Sequence, residues 1–283
     1  MLRDLHTHST ASDGALAPAD LVVAAADAGV GQLALTDHDT TAGLAEAAAA
    51  AEGRLQLVKG VEISVTWNKH VLHLVGLGID PASAPLAKGL HDLQLRRRNR
   101  AREMAGRLEK HGLAGAGPGA RRLAGGREPG RTHFARWLVA QGAAKHFQAA
   151  FKQWLKPGRP GHVATRWADL EAACEWIVGA GGVAVLAHPA RYRLTRSRMT
   201  ALLEEFRGAG GRGLEVVRAG ADPAEIRQLA EWAMRFDLAG SAGTDFHEPG
   251  RAWQRLGRLA NLPARVRPVW HHLDAASSDQ KDP

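Results

Sequence analysis

Histidine and acidic residues recur along this chain in short motifs whose spacing suits metal binding. The motifs are His6-Thr7-His8, Asp13, Thr36-Asp37-His38-Asp39, Gly60-Val61-Glu62-Ile63-Ser64, His73, Ala187-His188-Pro189 and Thr244-Asp245-Phe246-His247. One pair of histidines two residues apart often arises by chance, but a repeated pattern of six histidines and three carboxylates does not. A nitrogen and oxygen ligand set without thiolate suits Zn²⁺, Mn²⁺ or Fe²⁺. Nine such side chains exceed the needs of one ion, so the sequence predicts two or three divalent ions.

Short predicted strands precede most of these motifs. Residues two apart on a strand project to the same face, so His6 and His8 can reach one cation. Helical patterns over residues 18–28, 42–52 and 169–178 alternate with the strands, which favours a parallel sheet or barrel. The C-terminal ends of parallel barrel strands share one rim, where we expect the nine side chains to meet. The strands are predicted over residues 2–5, 32–36, 55–63, 71–79, 183–187, 214–217 and 238–242.

The middle of the chain has a different composition. It contains a basic helical pattern over residues 96–111, a Gly-rich and Arg-rich stretch, and two further helical patterns over 132–141 and 147–155. Thr132 is predicted to cap the first of these two. We therefore predict a discontinuous barrel domain formed by residues 1–92 and 163–270, a basic helical insertion over 93–162, and a flexible C-terminal tail over 271–283.

Charge is distributed unevenly over the 283 residues. The net charge is +8, yet residues 91–166 hold 17 Lys and Arg against 4 Asp and Glu, and the remainder is mildly acidic. A basic segment in an acidic frame indicates an anionic partner, with phosphate as the first choice. Cys174 is the single cysteine, which excludes a disulfide framework and favours a reducing, cytoplasmic setting. We expect no membrane association, because no apolar run reaches the ~20 residues of a membrane helix.

The motif set HTHS, TDHD, GVEIS, a following histidine, AHP and TDFH resembles the PHP (polymerase and histidinol phosphatase) family of metal-dependent phosphoesterases. Three further stretches are similar to the branch that contains the 3′,5′-nucleoside bisphosphate phosphatases and the 5′→3′ exoribonuclease AM. These stretches are Arg131-Thr132-His133-Phe134-Ala135-Arg136, Lys156-Pro157-Gly158-Arg159-Pro160-Gly161 and His188-Pro189-Ala190-Arg191-Tyr192. The resemblance implies an α/β fold, a distorted (β/α)7 barrel of the PHP type with an inserted helical subdomain.

The same resemblance implies how the ligands divide among three metal sites. The first ion is held by His6, His8, Glu62 and Asp245, with Glu62 bridging to a second ion held by His73 and His188, and a third is held by Asp13, His38 and His247. Mn²⁺ is the favoured metal, with Zn²⁺ or Fe²⁺ as alternatives. Some relatives have a histidine at the position of Asp13, which leaves the identity and occupancy of the third metal open.

Such a site predicts phosphoester hydrolysis by a water molecule that loses a proton between metals. Beside the bridging Glu62, Asp37 or Asp245 could orient this nucleophile or relay its proton, and the sequence does not rank them. Arg131 and Arg191 are candidates for gripping a substrate phosphate, because guanidinium binds phosphate with two parallel hydrogen bonds. The family comparison adds His133 to these substrate-binding residues.

Three functions remain in competition at this point. The first is hydrolysis of the 3′-phosphoester of 5′-phosphorylated nucleotides, which converts a nucleoside 3′,5′-bisphosphate to a 5′-monophosphate, and 5′→3′ removal of nucleotides from 5′-monophosphorylated RNA. The second is histidinol-phosphate hydrolysis, although a small cationic amine gains nothing from a basic insertion. The third is a nucleic-acid-binding module without catalysis, which the complete ligand set disfavours. The native metal, the preferred substrate and the oligomeric state stay open.

Overall fold

Seven strands follow one another in this computed structural model, which describes residues 1–250 and 253–273. They are β1 (Leu2–Thr7), β2 (Val30–Leu35), β3 (Gln56–Trp67), β4 (His70–Leu77), β5 (Val183–Leu186), β6 (Gly213–Arg218) and β7 (Ala239–Gly243). The strands pair in sequence order within one sheet. Thr7 bridges Phe246 in parallel register, and Asp245 N donates to His6 O at 2.8 Å. The first and last strands are therefore adjacent, and the sheet nearly closes into the expected seven-stranded barrel.

Strand direction departs from the parallel arrangement that the helix–strand alternation favours. β1, β2 and β3 run parallel, as do β5, β6 and β7, but β4 is antiparallel to both of its neighbours. The cause is a two-residue turn at Asn68 and Lys69, whose φ angles are 42° and 70°. Positive φ at both central residues is the geometry of a tight hairpin, so β4 returns beside β3 without a crossover helix. His73 consequently lies near the start of β4, opposite Ser64, and not at its C-terminal end.

Nine labelled helices connect and flank the strands in the described part of the chain. They are α1 (Pro18–Asp27), α2 (Leu44–Ala51), α3 (Ala84–Lys110), α4 (Ala116–Leu123), α5 (Arg131–Ala140), α6 (Phe147–Ala150), α7 (Leu170–Gly179), α8 (Arg196–Gly208) and α9 (Pro223–Arg235). A π-helical turn follows α6 at Phe151–Leu155, and a 3-10 turn follows β5 at Pro189–Tyr192. α1 and α9 begin at proline, whose fixed φ suits the first helical turn. Every described helix is too short or too polar to cross a membrane.

The chain separates into two compact units. The barrel unit consists of Met1–Leu90 and the described residues from Ala168 onward, and the insert unit is His91–Trp167. Aliphatic side chains fill the barrel core, among them Leu5, Val75 and Val185. The insert unit has a core of its own, in which Leu108, Phe134 and Leu138 are fully buried.

Three local expectations need correction. The basic helix begins at Ala84 and not at residue 96. The helix expected from residue 132 begins at Arg131 with Gly130 as its N-cap, because the His133 ring accepts the Gly130 N–H at 3.0 Å and Thr132 is left inside the first turn. Residues 271–273, assigned above to a flexible tail, are helical, and Leu273 is buried in the barrel core. Residues 274–283 of that tail lie outside the described residues.

Candidate metal centre

All nine side chains that the sequence singles out as ligands converge in the barrel unit. They form four overlapping groups, and within each group one ligand atom per residue lies within 4.8 Å of the others. The groups are His8, Asp13, His38 and His247; His6, Glu62 and His188; His6, His8 and Asp245; and His38, Glu62 and His73. We call these nine residues the ligand set. Because the groups share members, they form one continuous centre of nitrogen and oxygen donors.

Glu62 occupies the middle of this centre. It lies on β3 and is fully buried. Its Oε1 is 3.3 Å from His6 Nε2, 2.9 Å from His73 Nδ1 and 3.1 Å from His188 Nε2, and its Oε2 is 3.3 Å from His8 Nε2 and 2.8 Å from His38 Nδ1. One carboxylate thus contacts five imidazoles, which is the arrangement expected of a ligand shared between ions.

Two further carboxylates complete the centre on either side of Glu62. Asp245 Oδ1 is 3.6 Å from His6 Nε2 and 3.2 Å from His8 Nε2. Asp13 Oδ1 is 3.8 Å from His38 Nε2 and 3.3 Å from His247 Nε2. The aspartate at position 13 therefore faces two histidines of the set from the loop that follows β1.

The backbone is strained where several of these side chains leave their strands. His188 and Asp245 have φ angles of 31° and 53°, in the left-handed region that non-glycine residues rarely adopt. Such residues cost on the order of 1–3 kcal/mol each and persist at functional sites when surrounding contacts hold them. Close packing contributes as well, because a Cβ atom at Gly243 would lie 2.3 Å from His6 Cβ. Any side chain at position 243 of β7 would displace His6, so the position of His6 requires glycine there.

Buried donor atoms without hydrogen-bond partners show that the ligand set fits metal ions. In the part of the chain that the structure describes, His6 Nε2 and His8 Nε2 are buried and make no hydrogen bond of acceptable geometry, although carboxylate oxygens lie 3.2–3.6 Å away. Unsatisfied buried polar atoms destabilise a fold by roughly 1–3 kcal/mol each. Coordination of divalent cations would satisfy these atoms, and neutral imidazole with carboxylate is an appropriate donor set.

The electrostatics of the centre set the protonation states of its histidines. Burial lowers the pKa of His8 to about 3 and that of His73 to about 4, so both are neutral at pH 7. Burial also disfavours a charged His247, but the carboxylates of Asp13 and Asp245 outweigh it and raise the pKa of His247 to about 9. Although burial opposes ionisation, nearby His73, His38 and His6 hold the pKa of Glu62 well below its usual range. Burial likewise disfavours a charged His6, but Glu62, Glu215 and Asp245 hold its pKa well above the ordinary value. A metal ion bound by His6 or His247 would therefore have to displace a proton.

Of the two carboxylates that the sequence could not rank, only Asp245 belongs to the ligand groups. Asp37 is buried, and its carboxylate accepts hydrogen bonds from Ser9 N at 2.8 Å, Ser9 Oγ at 2.6 Å and Ser12 Oγ at 2.6 Å. Asp37 therefore fixes the loop that leads from β1 to Asp13. A role for Asp37 in proton transfer stays a prediction.

The predicted substrate-binding residues are divided between the two units. Arg191 lies in the 3-10 turn after His188, where its guanidinium contacts the Asp245 carboxylate while its side chain remains 44% exposed. Arg131 and His133 lie in the first turn of α5 in the insert unit. The contact of these three side chains with substrate stays a prediction.

Two residues next to the ligand set escaped the sequence analysis. The Tyr192 hydroxyl accepts the His73 N–H at 3.0 Å and donates to Ala187 O at 2.7 Å, which ties β4 to the end of β5. Glu215 on β6 contacts both His188 and His6. The available signals were weak: Tyr192 is the sole tyrosine, and Glu215 interrupts an otherwise apolar strand.

Comparison with known proteins agrees with this geometry. The model of the PHP domain family matches residues 4–113. A 3′,5′-nucleoside bisphosphate phosphatase of Chromobacterium violaceum is 47% identical over 274 residues, which cover 96% of each chain. The 5′-3′ exoribonuclease Rnm of Escherichia coli is 43% identical over 273 residues, covering 95% of this chain and 93% of the relative. Among solved structures, an amidohydrolase from Chromobacterium violaceum with bound sulfate and no metal superposes with a TM-score of 0.92 at 46% identity, covering 97% and 96% of the two chains.

Proposed function

This chain belongs to the PHP domain family, and from that premise we propose that it is a metal-dependent hydrolase of phosphoric ester bonds. Its proposed reactions are removal of the 3′-phosphate from nucleoside 3′,5′-bisphosphates and 5′→3′ release of nucleotides from 5′-monophosphorylated RNA. The observation that carries the proposal is the convergence of nine nitrogen and oxygen donors around the shared carboxylate of Glu62. The relatives of known activity, 43% to 47% identical, include both a phosphatase and exoribonucleases.

We assign the ligand set to three divalent ions, with Mn²⁺ preferred over Zn²⁺ and Fe²⁺. His6, His8, Glu62 and Asp245 hold the first ion, Glu62, His73 and His188 the second, and Asp13, His38 and His247 the third. The overlapping groups support this division, because Glu62 Oε1 faces His73 and His188 while Asp13 faces His38 and His247. Bound ions would neutralise phosphoryl oxygens and lower the pKa of coordinated water.

The residues of the chain supply orientation and a cationic contact for the substrate. Glu62 holds five imidazoles toward one centre, so little rearrangement is needed when ions and substrate enter. Arg191 contacts Asp245 yet remains partly exposed, so its other N–H groups can donate hydrogen bonds to a phosphate oxygen. We therefore assign phosphate binding to Arg191, and a matching role for Arg131 and His133 is tested below.

Charge supports a nucleotide or RNA substrate over a small amine. The insert unit carries 17 Lys and Arg against 4 Asp and Glu. A cationic surface attracts polyanions and repels an aminated substrate such as histidinol phosphate. For the same reason RNA 5′ ends are an expected substrate beside free bisphosphates.

A phosphate-release assay with Mn²⁺ tests the proposal. The substrates are adenosine 3′,5′-bisphosphate, 5′-AMP, histidinol phosphate and a 5′-phosphorylated oligoribonucleotide whose 5′-mononucleotide product is followed by chromatography. We expect turnover of the bisphosphate and the oligonucleotide, weak turnover of 5′-AMP, and none of histidinol phosphate. Preferential hydrolysis of histidinol phosphate, or no hydrolysis of any substrate by the metal-loaded protein, would refute the proposed function.

A further inference from the structure

Strand β6 supplies no member of the ligand set, yet it carries a buried carboxylate beside it. Glu215 is 3% exposed and stands within the buried run of β6. A carboxylate in a protein interior loses its hydration and is retained only where specific partners compensate. The partners of Glu215 are therefore informative about its role.

Those partners are two residues of the ligand set, His6 on β1 and His188 in the turn after β5. Glu215 Oε2 accepts the backbone N–H of His188 at 2.5 Å and lies 3.4 Å from His6 Nδ1. His188 has a left-handed backbone with φ of 31°, so an acceptor at its N–H helps to hold a strained conformation. The rings of His6 and His188 stack with centroids 5.7 Å apart. One carboxylate thus contacts the backbone of one ligand and the ring of its neighbour.

The position of Glu215 also selects a tautomer of His6. His6 Nε2 faces the carboxylates of Glu62 and Asp245 at 3.3 and 3.6 Å, while Nδ1 faces Glu215. An imidazole that binds a metal ion is neutral: it coordinates through the lone pair of one nitrogen and keeps its proton on the other. An acceptor at Nδ1 favours the proton there and leaves the Nε2 lone pair for a metal ion.

We propose that Glu215 is a positioning residue of the metal centre. It holds His6 with its proton on Nδ1 and fixes the backbone of His188, so that both rings present Nε2 toward the ions. This role of Glu215 rests on the ligand set of the proposed function, and it concerns metal affinity and not the choice of substrate.

Metal binding without substrate tests this role. Mn²⁺ affinity is measured by competition with a chelator for the wild type, Glu215→Gln and Glu215→Leu. We expect Glu215→Leu to weaken the affinity about 10- to 100-fold, the usual effect of removing a partner that orients a ligand. Glu215→Gln should weaken it less, because the amide oxygen can still accept one hydrogen bond. The matched control is Glu225→Gln, since Glu225 pairs with Arg218 and not with the ligand set; its Mn²⁺ affinity should be unchanged.

A spectroscopic readout separates positioning from a general structural role. In long-range ¹H–¹⁵N spectra of the Zn²⁺-loaded protein, His6 should carry its proton on Nδ1, and the signal is assigned by its loss in a His6→Gln variant. In Glu215→Leu this proton should exchange rapidly or disappear. Mn²⁺ affinity within twofold of wild type, together with an unchanged His6 signal, would overturn the proposal. If Glu215→Leu does not fold, Glu215→Gln decides by the same two measurements, with a loss of at least threefold in affinity as the supporting result. Since neither measurement uses a substrate, failure of the phosphoesterase assay leaves both interpretable.

Discussion

The barrel unit buries several of its carboxylates, whereas the insert unit exposes arginines to solvent. In the barrel unit, the carboxylates of Asp4, Asp37, Glu62, Glu215 and Asp245 are at most 4% exposed, and each contacts specific neighbours. In the insert unit, Arg98, Arg107 and Arg121 are 44–56% exposed, and Arg98 and Arg121 share the single carboxylate of Glu128.

This difference indicates that the buried charges of the barrel unit serve the reaction, whereas the exposed charges of the insert unit attract the substrate. Buried charges in a low-dielectric interior interact strongly, so the removal of one disturbs the whole cluster. Exposed ion pairs contribute little to stability, and an excess of exposed arginine acts mainly through its field and its contacts with a ligand. Substitutions in the ligand set of the barrel unit should therefore abolish turnover of every substrate, while substitutions of exposed arginines in the insert unit should have graded, substrate-dependent effects.

The largest effect should follow from Glu62→Gln in the barrel unit. Loss of this shared carboxylate removes a contact to five histidines, so we expect kcat to fall by about 10³-fold or more, beyond the effect of losing one preorganised hydrogen-bond donor. His38→Ala should be similarly severe. The loss should be equal for the bisphosphate and for RNA, with the circular dichroism spectrum unchanged. Near wild-type turnover of His38→Ala at saturating metal would contradict the three-ion assignment.

Arg131→Ala should have a smaller and selective effect. If Arg131 binds the 5′-phosphate, loss of a contact worth roughly 1.5–3 kcal/mol lowers kcat/KM by about 10- to 150-fold. The measurement compares adenosine 3′,5′-bisphosphate with 3′-AMP, which lacks that phosphate and should be almost unaffected. His133→Ala, which also removes the ring that accepts the Gly130 N–H, serves as the companion variant. Equal losses on both nucleotides would assign Arg131 to the scissile phosphate or to the fold.

Metal affinity should rise with pH between pH 7 and 8 by about tenfold per unit for each of two released protons. In the metal-free protein the pKa of His247 is about 9, so this ring is protonated throughout that range and must lose its proton to bind an ion. Burial also opposes a charged His6, but the carboxylates of Glu62, Glu215 and Asp245 hold its pKa well above the ordinary value, so His6 must lose a proton as well. His8 and His73, with pKa values of about 3 and 4, are already neutral and add no slope there. Calorimetry of Mn²⁺ binding in buffers of different ionisation enthalpy should detect about two released protons when the ions engage both His6 and His247. Binding without proton release at pH 7 would show that the ions do not engage His247.

The smallest effects should come from two single substitutions, one in each unit, that remove a side-chain hydrogen-bonding group. Tyr192→Phe removes the hydroxyl between His73 N and Ala187 O, and Trp154→Phe removes the indole donor to Ala143 O in the insert unit. Each should lower the free energy of unfolding by about 1 kcal/mol. Only Tyr192→Phe should also weaken Mn²⁺ binding, by a few-fold, because the Tyr192 hydroxyl holds the backbone of His73, a member of the proposed ligand set. Equal Mn²⁺ affinities for both variants would show that Tyr192 stabilises the barrel without orienting His73.

Local sequence patterns predicted much of the fold and the convergence of nine candidate ligands, whose metal binding stays a prediction. His6 and His8 stand two residues apart at the end of a strand, and most of the other candidate ligands lie in the loops that follow strands, so the two-residue period of a strand and the shared rim of a barrel predicted that they meet. Glu62 and His73 instead lie within β3 and β4. The helical insertion followed from composition and helical patterns, and the resemblance to the PHP family added the division among ions and the distorted barrel of the PHP type. Helix boundaries were less accurate, since Gly130 and His133 form the cap that the sequence assigned to Thr132.

Only the tertiary structure decided the direction of β4 and the partners of the buried carboxylates. The turn at Asn68 and Lys69 reverses the chain, so β4 pairs antiparallel with both β3 and β5. The apolar pattern of β4 does not reveal this direction. Glu215 meets His6 across 209 positions of sequence, and Asp37 meets Ser9 across 28. Sequence periodicity reports which face of an element is buried, because that depends on near neighbours. The contacts of a buried carboxylate depend on how strands distant in sequence pack together, so only the assembled barrel determines them.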